Sequence, residues 1–148
     1  MTDNLILAVH LLGAAIWVGG MAFALLVLRP SLGVLAPAQR LALHGEVFRR
    51  FFRIIWHVMP LVLLSGYGLL FSYGGFEEVN PLVHVMHLTG VTMAVIFAVI
   101  FFGPWKALQA ALAASKPAEA AAAVNRIRLL ISANLVLGVI TIAVAAFA

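Results

Sequence analysis

The sequence predicts an all-α integral membrane protein, a four-helix bundle running up-down-up-down with both termini on the outer, periplasmic side. Three observations carry that expectation. First, 65% of the 148 residues are hydrophobic and only 9% are charged, with a mean hydropathy of +1.15. A soluble domain carries about 45–50% apolar and about 25% charged residues. Charge this sparse cannot coat a water-exposed surface, which excludes a soluble enzyme, and disordered chains are poor in apolar residues. Second, four continuously apolar runs are each long enough for a bilayer core, which takes about 20 residues as helix. Third, the basic residues all fall on one side of those runs.

The spans are expected at about 4–28, 54–73, 81–102 and 129–148, within a single membrane domain covering 1–148. None shows the alternation of a barrel strand. The first run has no basic n-region and is too long for a signal-peptide core, so it reads as a span. Arg29, Arg40, Arg49, Arg50 and Arg53 lie between the first two spans or at the mouth of the second. Lys106, Lys116, Arg126 and Arg128 lie between the third and fourth. The other side holds Asp3, Glu77 and Glu78 and no Lys or Arg. The positive-inside rule therefore places the termini and the 74–80 loop outside, and the expected location is the bacterial inner (cytoplasmic) membrane. The same reading turns the net charge of +4 into a topology signal and excludes nucleic acid as a partner.

Between the first two spans, residues 37–52 place Leu41, Val47, Phe48, Phe51 and Phe52 among arginines. That pattern predicts an amphipathic interfacial helix leading into the second span. Trp105 and Lys106 look like an interface anchor pair. Pro117 suits a first helical turn, and the alanine-rich AEAAAAVNRIR predicts that the last helix starts before its apolar run.

Ionisable residues inside spans are costly and draw attention as functional groups. The spans hold His10, His57, His84 and His87, while His44 falls in the inner loop and is expected to be solvated. At 1.5 Å per residue, His10 and His87 both lie roughly 9 Å below the outer boundary. Gly13 and Gly90 follow them by three residues, where the missing side chain admits a flat ligand or a neighbouring backbone. His84 sits one turn above His87. Stripes of small and polar residues suggest that His10 and His87 point at a common axis: His10, Ala14, Trp17 and Met21; His87, Gly90, Ala94 and Ala98; Asn134, Gly138, Thr141 and Ala145. His57 lies about 15 Å deeper and pairs by depth with Asn134, as a second polar cluster.

With no cysteine, thiolate sites, covalent haem and cysteine-ligated clusters are excluded. A histidine pair at one depth on two helices of a bundle suits bis-histidine haem b, with His10 and His87 as axial ligands and His84 as a substitute. Tyr67, Ser72, Tyr73 and Asn80 would then meet the propionates. Electron transfer near the outer leaflet, with a redox partner or quinone, follows from that reading. The alternative is copper held by His10, His84 and His87 with Met86 nearby, since imidazole and thioether suit that metal. A third reading is an accessory subunit whose histidines only pack across helices. Membrane lipid surrounds the chain in every case, and a homo-oligomer fits its small size.

The stretch His10-Leu11-Leu12-Gly13-Ala14-Ala15-Ile16-Trp17-Val18-Gly19-Gly20 resembles the opening helix of the copper-resistance protein D (CopD) membrane domain. Arg29-Pro30-Ser31-Leu32 and the closing ANLVLGVITIAVAA are similar to it as well. That resemblance implies copper handling at the inner membrane. The first-span histidine, the arginines before Pro60 and His84 also resemble the HemJ-type protoporphyrinogen oxidases, four-span proteins that bind haem b. Met86 stands where the HemJ pattern has a lysine, and the Asn-Glu-x-x-Pro stretch near its last span has no counterpart. These departures weigh against the oxidase activity.

Overall fold

A computed structural model describes residues 2–148. The chain is helical nearly throughout: α1 (Thr2–Phe23), a π-helical turn (Ala24–Leu28), α2 (Arg29–Ser31), a 3-10 turn (Leu32–Val34), α3 (Pro37–Ser72), α4 (Pro81–Phe102), α5 (Pro104–Ala113) and α6 (Pro117–Ala145). Four of these stretches are long and apolar enough to cross a membrane.

Proline and polar caps set the boundaries. Pro37, Pro81, Pro104 and Pro117 each occupy a first turn, where a missing N–H costs nothing. Asn80 caps α4, its side-chain oxygen accepting from the Leu82 N–H at 2.9 Å. Pro30 explains the π turn. A proline ring clashes with the carbonyl four residues earlier, and the helix widens upstream so that the Arg29 N–H reaches Ala24 O. Gly74 and Gly75, at φ +97° and +89°, turn the chain between α3 and α4.

The interfacial helix runs straight into the second span, and the two form one 36-residue helix, α3. Nothing between Phe52 and Ile54 breaks a helix, and Arg53 simply continues it. At 1.5 Å per residue α3 is about 54 Å long, against a hydrocarbon core of about 30 Å. Residues 37–53 therefore extend beyond the span. Their outward face carries an ion-pair cluster, with Glu46 Oε1 2.8 Å from Arg49 Nη2 and 2.6 Å from Arg50 Nε.

Around the bundle, α1 packs on α3 and α4 packs on α6, with lighter contacts closing the ring. The bundle is tightly filled toward its basic end. Phe52 packs on Phe48, Phe97 and Trp105, and Trp56 meets Phe97 and Phe101 edge-on at 5.3 and 5.1 Å. Trp105 is thus a core residue, not the interface anchor expected of it, because α5 folds back on α6 and turns the indole inward. Lys106 alone stays outside, over the Phe102 ring. Leu12, Leu26, Leu64, Leu88 and Val136 lie exposed along the spans, the surface that lipid would cover.

Candidate functional site

The acidic end, with Asp3, Glu77 and Glu78, is built differently. Around the histidines the α1–α3 contact is made through small residues. A Cβ on Gly13 would fall 2.5 Å from Val62 Cγ2, so only glycine lets α1 approach α3 this closely. The His10 ring then rests against Gly66, where a Cβ would stand 3.0 Å from His10 Cε1.

His10 is half-buried, and its Nδ1 lies 2.9 Å from Val62 O and 3.2 Å from Ser65 Oγ. A carbonyl oxygen can only accept, so Nδ1 carries the proton and donates. The Ser65 hydroxyl donates to carbonyls of its own helix and so offers His10 a lone pair. In the neutral form of the ring, Nε2 is then left as a bare lone pair. Metal-binding histidines are commonly held in this way, with the far nitrogen donating to a carbonyl that fixes tautomer and orientation.

One residue along the same turn of α3, Tyr67 meets His87 of α4 edge-on, with ring centroids 5.4 Å apart. His87 also meets Phe76 of the α3–α4 loop at 5.1 Å, and His84 stacks on the same phenyl ring at 5.6 Å. The chain His84, Phe76, His87, Tyr67, Gly66, His10 therefore runs from the exposed loop to the α1–α3 seam. Beside Gly90 a Cβ would meet nothing within 4 Å, so the space next to it is open. Among the described residues no group of three or more His, Asp or Glu side chains is gathered closely enough to form a ready-made metal cluster.

The second polar cluster does not form. His57 is exposed, and its Nδ1 donates to Arg53 O of its own helix at 2.8 Å. Asn134 is buried, and its amide donates to Met93 O of α4 at 3.2 Å. Equal depth on two helices did not give equal facing. His44 is another correction: expected in solvent, it stacks on Phe48 at 5.5 Å and its Nδ1 is buried without a partner.

Sequence reasoning missed the pairing of Ser65 with His10 and the place of Phe76. Ser65 lies seven residues before the end of α3, roughly 10 Å deep, which is the level of His10. The depth arithmetic that matched the histidines matches this hydroxyl to His10 as well. Phe76 lies in a loop, and no periodicity places a loop side chain.

Residues 45–148 match the family model described as copper resistance protein D, CopD. The chain belongs to the CopD family. No curated protein and no solved structure matches it. CopD membership, with four apolar helices, makes this a multi-pass bacterial membrane protein, for which the inner membrane is the usual place. It also ties the chain to copper resistance, which points to copper, and lends no support to haem b. The match begins at Gly45, so His10 and the Trp17-Val18-Gly19-Gly20 stretch lie before it, while His84, His87 and the closing helix lie within it.

Proposed function

We propose that this CopD protein binds copper at the acidic end of its bundle and hands it on there, with His10 and His87 as ligands and His84 at the mouth. Copper is the cargo in this reading. The observation that supports it best is the Nδ1–H bond from His10 to Val62 O, which leaves Nε2 free as a ligand on the turn of α3 whose Tyr67 touches His87. Imidazole nitrogens and the Met86 thioether suit copper in both oxidation states. Glu77 and Glu78 lie exposed beside the mouth and favour the approach of a cation. Below the site the Phe52, Phe97 and Trp56 cluster fills the bundle and holds an ion at this end. The one-sided basic residues support a periplasmic position for the acidic end.

The test is Cu(I) competition against a colorimetric chelator, using detergent-purified protein. The expected result is one tightly held copper per chain, weakened at least about tenfold by His10→Ala and by His87→Ala. His57→Ala should leave affinity unchanged, because His57 is exposed and bonded to its own helix. Equal affinity in all three variants overturns the reading.

A further inference from the structure

The basic end of the bundle holds a cleft that the copper reading does not use. It lies where the π turn after α1, the interfacial part of α3 and the first half of α6 meet, and encloses about 180 Å³. Arg29, Arg128, His44 and Asn125 supply its polar wall, and Leu28 and Phe48 are among the apolar residues opposite. No carboxylate lines it. Glu46 is engaged by Arg49 and Arg50, and Glu119 by Lys116; among the described residues neither Arg29 nor Arg128 has an acidic partner.

Two guanidinium groups beside one apolar-walled cleft repel each other unless an anion joins them. Guanidinium matches phosphate through paired N–H donors, and basic pockets between membrane helices are a known setting for lipid head groups. A second observation points the same way. His44 Nδ1 is buried in this region with no hydrogen-bond partner, although buried polar groups are nearly always paired. Burial and the nearby Arg29 cation hold the His44 pKa below its usual value, which places the Arg29 charge beside the ring. An anion in the cleft would pair with Arg29 and offset the charge beside the ring.

We infer that the cleft between the π turn, α3 and α6 is a binding site for a phosphate group, held by Arg29 and Arg128 with His44 and Asn125 as further polar contacts. The π turn, imposed by Pro30, sets Arg29 at the cleft. Two sources carry this chemistry: the headgroup of an anionic phospholipid, with its acyl chains along the apolar wall, and a free phosphate.

The test uses the purified full chain and native mass spectrometry. Phosphatidylglycerol and phosphatidylcholine are titrated separately into the detergent-solubilised protein, and inorganic phosphate is added as competitor. The expected result is saturable phosphatidylglycerol binding, weakened at least about tenfold in Arg29→Gln/Arg128→Gln. Arg126→Gln, which changes an exposed arginine outside the cleft, should leave it unchanged. Arg29→Lys/Arg128→Lys keeps charge but loses the paired donors, and should bind at an intermediate level if the double Gln variant folds poorly. Displacement by millimolar inorganic phosphate assigns the free anion as ligand; resistance to it assigns the lipid. Equal binding of both lipids with no phosphate binding overturns the site, as does an Arg126→Gln effect equal to that of the cleft pair.

Discussion

Replacing Gly13 by alanine drives a methyl group into Val62. The new Cβ would stand 2.5 Å from Val62 Cγ2 and 3.7 Å from Val58 Cγ1. Val62 is β-branched, so its methyl cannot swing away cheaply and α1 must lift from α3 instead. Overpacking of this kind costs about 1–3 kcal/mol, and alanine returns about 1 kcal/mol of helix propensity, for a net loss of about 0–2 kcal/mol. Val62→Ala removes the obstacle. The Gly13→Ala/Val62→Ala pair should therefore show a favourable coupling of about 1–2 kcal/mol in a double-mutant cycle. The assay is reversible unfolding by SDS titration in mixed micelles, with Cu(I) affinity measured on the same four proteins. Lifting α1 stretches the bond between His10 Nδ1 and Val62 O, now 2.9 Å, so affinity should fall in Gly13→Ala and return in the double variant. Additive stabilities, within about 0.5 kcal/mol, would refute the claim that this glycine sets the α1–α3 approach.

Other consequences are smaller. Asn134→Leu should change stability by less than about 1 kcal/mol, because one hydrogen bond between membrane helices is worth about 0.6 kcal/mol and Asn134 Oδ1 is buried without a partner; SDS titration reads it, and a loss above about 3 kcal/mol would mean the amide does more. Ser65→Ala should weaken copper binding less than His10→Ala does, since Val62 O still accepts from Nδ1; competition titration separates the two. The Arg49 and Arg50 guanidinium groups hold the Glu46 carboxyl down to about 2. A depressed carboxylate contributes stability that is present above its ordinary pKa near 4.5 and is lost as pH falls toward about 2. Carboxyl ¹³C shifts in micelles should accordingly show Glu46 still ionised at about pH 3.5.

The four spans were legible because each apolar run reaches the length a bilayer demands, and Pro81 and Pro117 mark the starts of α4 and α6 in plain sequence. The depth of His10 and His87 was legible too, since both contact neighbouring residues of one turn of α3. Facing was harder to read. Depth is one coordinate and rotation about the helix is another; Asn134 turns to Met93 O rather than to His57. Trp105 was misread because a Trp-Lys pair after an apolar run suits an interface anchor, and only the return of α5 onto α6 buries it. The fate of His44 depends on the same kind of long-range meeting, between the interfacial part of α3 and α6.

The central claim is that His10 offers copper a free Nε2 at the acidic end. X-ray absorption at the copper edge of the Cu(I)-loaded protein tests it most directly. Imidazole multiple scattering in the native protein, reduced by one ring in His10→Ala and by another in His87→Ala, is the predicted result. A copper environment without imidazole, or one identical in the native protein and His10→Ala, would contradict it.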